Sequence, residues 1–322
     1  MKKIISNKYI LIFIIFIFYF IIIYNIRIRA NFYNKYDYNK KFVIIIRDKN
    51  INHTFGLLAI YYVYIGCVNE YIKNGFIPII DLSSCPNLFN NFNISTNINP
   101  WENFFFQPFN YNLKDAKHNS KNIKYVECYQ AKFGTPYFDI FYNEIRRNFW
   151  HKIAKKYIPI KEEILREAKI KFKLLFNNSN NILGILIRGT DYIGRKFHAI
   201  QPKPDDVFKD INEMDNKYNY DYIFMTTEDD IIREKFIKTY GGKLKYIKPL
   251  INIKYDYNKK ELLAFNKEIK GNLSFMKIYL INIIILSKCI DIISSQTAGS
   301  IVAFILSKGF RNKKIYNLGY YK

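Results

Sequence analysis

Between Lys161 and Tyr316 the hydrophobic period alternates between helix and strand, a pattern few folds accommodate. Ile164, Leu165, Ala168, Phe172, Leu175 and Phe176 form a helical stripe, and Ile182 to Ile187 is an apolar run of strand length. Val207, Phe208, Ile211 and Met214 mark the next helix, Tyr222–Met225 the next strand, Ile231, Ile232, Phe236 and Ile237 a further helix, and Leu244–Ile247 a further strand. Phe275–Ser287 reads as a helix, Asp291–Ile293 as a strand, Ile301–Lys308 as a helix before Gly309, and Lys314–Tyr316 as a last strand. Strands that alternate with helices pair in parallel and need helices on both faces of their sheet. The expected class is α/β.

A similar unit opens the first half. Phe42–Ile46 has strand length, a loop carries Asn52 to Gly56, Leu57–Asn74 is long enough for a helix, and Gly75 stops it before the apolar run Phe76–Asp81. Residues 82–150 are rich in Asn, Phe and Pro, show poor periodicity, and read as loops and short elements. The expected organisation is therefore two Rossmann-like domains around a cleft, one over residues 42–160 and one over 161–322.

Ahead of them, Tyr9–Tyr24 is unbroken apolar and aromatic, flanked by Lys2, Lys3 and Lys8 and by Arg27 and Arg29. Ile4, Ile5, Ile26 and Ile28 extend it toward the ~20 residues a spanning helix needs. No small-residue cleavage site follows, so residues 1–30 read as an uncleaved transmembrane anchor rather than a signal peptide, and 31–41 as a stem. Basic residues on both flanks leave the orientation open. The Phe275–Ser287 run is too short for a second span and reads as a buried core helix.

A formal net charge of +23 invites an anionic partner, but Lys is spread through the whole chain alongside Ile, Asn, Tyr and Phe. Charge alone supports only a basic, membrane-tethered nucleic-acid protein, and no specific nucleic acid is expected. Cys67, Cys85, Cys128 and Cys289 form no Cys-x-x-Cys pair, and His53, His118, His151 and His198 lack helical metal-ligand spacing, so no structural zinc is expected. The four thiols could be free or make two bridges.

In an open parallel sheet, ligands bind at the carboxyl ends of the strands, and three polar clusters fall there. Arg188-Gly189-Thr190-Asp191-Tyr192 follows Ile182–Ile187. Its arginine offers a fork of donors suited to a diphosphate, and Gly189 lets backbone approach a ligand; a structural Arg188–Asp191 pair is the competing reading. Thr226-Thr227-Glu228-Asp229-Asp230 can meet a ribose or base, yet helix capping explains most of it. Ser294-Ser295-Gln296-Thr297-Ala298-Gly299-Ser300 is an anion site or a plain cap, with Ser295 as the expected capping residue and Ser294 and Thr297 behind it. No Asp-x-Asp, Gly-x-Gly-x-x-Gly or Walker loop occurs, so Arg188 and a helix N-terminus would neutralise the diphosphate without a metal clamp.

These three clusters, in this order and spacing, resemble the motifs of the α1,2/α1,6/protein O-fucosyltransferase superfamily. Ile185–Tyr192 looks like the first, Phe224–Asp229 like the second, and Leu286–Cys289 through Ser294-Ser295-Gln296 like the third. The resemblance implies an inverting, metal-independent glycosyltransferase of GT-B form. A GDP-sugar donor, GDP-fucose, would be held by Arg188, Gly189, Thr227, Asp229, Asn282, Ser294, Ser295, Gln296 and Thr297. Asn52–Leu57 would be the acceptor-side loop, and the acceptor a glycan or glycolipid. Leu186 stands where many relatives carry a His, and Asn282 where the α1,6 branch has an Asp, both guanine contacts in the family. Arg195 or Lys196 stands where that branch has its base. Asp191 is the candidate base here, with Asp205 or a first-domain carboxylate as alternatives. A non-catalytic binder of nucleotide-sugar or glycan is the alternative function.

Overall fold

The computed structural model describes residues 40–47, 56–83, 99–118, 123–128, 134–250 and 272–322. Residues 1–39, which hold the expected anchor and nearly all of the stem, lie outside the described residues, as does most of the Asn52–Leu57 loop. Among the described residues no helix is long and apolar enough to cross a membrane.

Two parallel sheets form the frame. In the first, β1 (Phe42–Arg47) lies between β2 (Ile77–Ile80) and β3 (Ile123–Cys128). The helix α1 (Leu57–Lys73) connects β1 to β2, and Cys67 on it is disulfide-bonded to Cys128 on β3. Cys289 is a buried free thiol whose pKa is pushed up by burial.

The second sheet has five strands in the order β6-β5-β4-β7-β8, all parallel. Its strands are β4 (Ile182–Leu186), β5 (Tyr222–Thr226), β6 (Leu244–Lys245), β7 (Asp291–Ser295) and β8 (Lys313–Tyr316). The order reverses between β4 and β7, which makes their carboxyl ends the switch point where an open α/β sheet forms its ligand crevice. The α/β class and parallel pairing are as read from the sequence; the Leu244–Ile247 strand is shorter, with only Leu244 and Lys245 in the ladder.

Alternation along β4 assigns its faces. Leu183, Ile185 and Ile187 pack with Val207 and Ile211 of α5 (Pro204–Tyr218) and with Ile232 and Phe236 of α6 (Asp230–Tyr240). Ile182 and Leu186 face the other way, toward α7 (Leu273–Leu286). Gly184 shares that face, and a Cβ there would lie 2.6 Å from Leu286 Cδ1, so the glycine lets α7 lie close against the strand. As expected, α7 is a core helix, with Met276, Leu280, Ile281 and Ile283–Leu286 buried.

Residues 82–150 contain more structure than their periodicity suggests. They include β3, a short helix α2 (Leu113–His118) and the first half of α3 (Glu144–Tyr157), whose continuation α4 (Glu162–Phe176) packs on α7. The stripe of α3 is Arg147, Trp150 and Ala154, and its first buried position is charged, which breaks the apolar period. Arg147, 2% exposed, serves the carbonyls of the two residues that follow α8 (Ala298–Leu306). Its Nη1 donates to Ser307 O at 2.6 Å and its Nη2 to Lys308 O at 3.1 Å; Nε pairs with Glu144. His151 Nδ1 lies 2.8 Å from Ile305 O. A helix C-terminus carries unsatisfied carbonyls and partial negative charge, which these groups offset. With α1 and α3 both packed on α8, one apolar core runs from the first sheet's helices into the second's. Arg147→Met should lower stability by about 2 kcal/mol, the cost of leaving buried carbonyls unpaired. A denaturation midpoint unchanged from wild type would refute this.

Candidate functional site

The chain leaves β4 at Leu186 and turns sharply at Arg188-Gly189, after which Thr190–Tyr192 forms one turn of 3-10 helix. The turn is shaped by the segment after β5. Asp229, 2% exposed, caps α6 through Oδ1, which accepts from Ile232 N at 3.0 Å, and its Oδ2 accepts from Thr190 N at 3.2 Å. A Cβ on Gly189 would sit 2.1 Å from that Oδ2, so only glycine permits the approach. Thr227 Oγ1 accepts from Asp229 N and steadies the same junction. Asp229 and Thr227 thus hold the turn together from inside, and Asp229 is also the cap of α6.

Glu228 faces the turn directly. Its Oε1 accepts from Arg188 Nε at 2.9 Å, from Gly189 N at 2.9 Å and from Thr190 Oγ1 at 3.1 Å. The Arg188 guanidinium lies 4.4 Å from the centre of the Tyr192 ring, which also packs on His198. Its Nη1 reaches Tyr279 Oη on α7 at 3.3 Å. The same hydroxyl would stand 2.9 Å from a Cβ built on Gly299, in the first turn of α8. Arg188 and the start of α8 therefore border one point.

The end of β7 completes the site and corrects the expected cap. Thr297, not Ser295, caps α8: its side chain accepts from Ser300 N at 3.2 Å. Ser295 is still in the strand, and its Oγ donates instead to Gln201 Oε1 at 2.5 Å. Because that oxygen also accepts from the Arg188 main-chain N at 3.2 Å, Gln201 joins the first and third clusters. Ser294 is buried and its hydroxyl meets no hydrogen-bond partner among the described residues. Gln296 accepts from Tyr320 Oη at 3.4 Å; residues 319–321 pair with 197–200 beside it. Asn282 turns its amide back to Ile278 O in its own helix. Asp191 belongs to the Thr190–Tyr192 turn; its side chain lies outside the described part of the structure. Among the described residues no group of His, Cys, Asp and Glu gathers as a metal site.

The arrangement joins a guanidinium, a phenol and the positive end of a helix dipole at the switch point of the sheet, a set of donors fit for a phosphate or diphosphate. Thr297→Ala should cost about 1 kcal/mol of stability as a lost cap and weaken anion binding at the same end of α8; an unchanged melting temperature would refute the capping role. Sequence pattern alone gives no role to Gln201 or Tyr279, and none of their own to Tyr192 and Glu228 within their clusters. Tyr279 carried the clearest signal, a hydroxyl inside an almost wholly apolar helix, three residues from Asn282.

No family model matches the chain, and no curated protein matches it in sequence. Among solved structures, the fucosyltransferase NodZ from Bradyrhizobium is similar over 84% of this chain and 94% of its own, with 13% identity and a TM-score of 0.48. NodZ soaked with GDP-fucose aligns at 13% identity over 84% of this chain and 93% of its own, with a TM-score of 0.47. POFUT1 in complex with GDP aligns over 87% of this chain and 99% of its own, at 10% identity and a TM-score of 0.47. These solved structures are fucosyltransferases.

Proposed function

We propose that the chain is a glycosyltransferase of the α1,2/α1,6/protein O-fucosyltransferase superfamily that transfers fucose from GDP-fucose to a glycan or glycolipid. One observation carries the reading: Arg188, at the carboxyl end of β4, shares the Tyr279 hydroxyl with the first turn of α8, where the strand order reverses. In an inverting transfer, the acceptor hydroxyl attacks the anomeric carbon from the face opposite GDP, the bond from that carbon to the diphosphate oxygen breaks, and the acceptor proton passes to a base. Arg188 and the α8 N-terminus neutralise the diphosphate as it leaves, and Asp191, in the same turn as Arg188, is the proposed base. No metal takes part in the proposed reaction. The two sheets form the two GT-B domains, 42–160 and 161–322, and residues 1–30 anchor the enzyme in a membrane.

The test is a thermal-shift and titration series with GDP, GDP-fucose, GDP-mannose and a UDP-sugar, followed by assay of GDP release in the presence of glycan acceptors. A ligand that binds only the folded state stabilises it by about 2.7 kcal/mol at a hundred times its dissociation constant. GDP and GDP-fucose should stabilise the chain and the UDP-sugar should not. Absence of any guanine-nucleotide shift would refute the reading, and saturable binding without GDP release would establish the non-catalytic alternative.

A further inference from the structure

We propose that Glu228 is a positioning residue that fixes the orientation of Arg188 before a ligand arrives, a role that rests on the donor-site reading above. A residue present only to cap α6 would take one of that helix's free N–H groups, and Asp229 already does so. Glu228 instead spends one carboxylate oxygen on three donors from three successive residues, Arg188 Nε, Gly189 N and Thr190 Oγ1. Both partners of the ion pair are nearly covered, with side-chain exposures of 14% for Arg188 and 12% for Glu228. Held at Nε by the carboxylate and on one face by the Tyr192 ring, the guanidinium turns Nη1 toward Tyr279 and the α8 end of the site. An arginine side chain is flexible, and ordering it in advance removes that cost from binding.

The arrangement has an electrostatic consequence that separates positioning from simple charge balance. Glu228 puts a negative charge beside a site for an anion. If it only balanced charge, neutralising it would tighten the binding of a diphosphate; if it positions Arg188, neutralising it weakens binding.

The experiment is a double-mutant cycle on the full chain, with GDP as titrant and wild type, Glu228→Gln, Arg188→Ala and the double variant compared. Glu228→Gln keeps an acceptor for Gly189 N–H and Thr190 Oγ1, and ligand-free thermal denaturation reports its folding. It should bind GDP roughly 10-fold more weakly than wild type, and the loss should vanish in the Arg188→Ala background, where no guanidinium remains to be positioned. Equal or tighter binding by Glu228→Gln overturns the proposal, as does a loss that persists in full without Arg188. Should Glu228→Gln not fold, Glu228→Asp, which draws the carboxylate back by one methylene, enters the same cycle with the same outcomes. Wild-type protein that takes up no GDP overturns the donor-site reading itself, and this proposal with it.

Discussion

Arg188→Lys should reduce kcat/KM for sugar transfer by about 30- to 1,000-fold, equivalent to ~2–4 kcal/mol of lost transition-state stabilisation, with little change in melting temperature. The substitution keeps the charge and most of the stem. What it removes is the fork, which lets Arg188 engage Glu228 through Nε and reach past it with Nη1 to the Tyr279 hydroxyl. A lysine ammonium is a single point of donors, so it can serve Glu228 or a leaving diphosphate but not both in the same geometry. In the proposed transfer negative charge grows on the diphosphate as the sugar leaves, and the loss should fall mainly on kcat. A rise in KM alone would mean that Arg188 binds ground and transition states equally. Near-wild-type turnover would remove Arg188 from the chemistry.

The second half of the chain was legible because its strands are buried on both faces and its helices carry wide apolar stripes. The run Ile182–Ile187 and the stripe of Val207 and Ile211 could hardly pack in any other way. β3 and α3 were not legible, for local reasons. β3 is an edge strand with exposed Lys124 and Tyr125, and α3 buries an arginine where the period calls for an apolar residue. In the site, the positions of the three clusters were visible but their internal wiring was not. Sequence order places Ser295 just past the apolar run and makes it the natural cap, yet the strand runs two residues beyond that run, through Ser295, and hands the role to Thr297. Glu228 and Asp229 are adjacent acids at a helix start and look alike as caps; only the position of the Arg188 turn tells them apart.

The opposite end of β7 carries a group that should matter for stability and not for chemistry. Asp291, fully buried, opens the strand that ends at Ser295, about 13 Å away at ~3.3 Å per residue. Its carboxylate accepts from Tyr220 Oη, from Arg311 Nη2 at 2.5 Å and from Asn312 N at 2.7 Å, and the Arg311 guanidinium stacks 4.5 Å from the Tyr218 ring centre. Burial alone would raise the Asp291 pKa, but the hydrogen bonds from Arg311, Tyr220 and Asn312 outweigh it and hold the carboxyl below the usual range. A carboxyl with a folded pKa below its unfolded value of ~3.9 contributes its full stabilisation above that pH and loses it as pH falls through the folded value. Asp291→Asn replaces a charged acceptor with an amide that must turn donors toward Arg311 and Asn312, and it leaves Arg311, whose side chain is 41% exposed, to water. The variant should lose about 2–3 kcal/mol of unfolding free energy at pH 7, the scale of hydrogen bonds to a charged group. Its acid-unfolding profile should also be flatter than wild type below pH ~4, because the group whose protonation drives that arm is gone. Denaturant titrations from pH 7 down to pH 2 on both proteins measure the two effects together. Parallel profiles would mean that Asp291 is not the group wild type protonates as it unfolds in acid, and unchanged GDP affinity in the folded variant would confirm that this end of the strand plays no part in the site at the other.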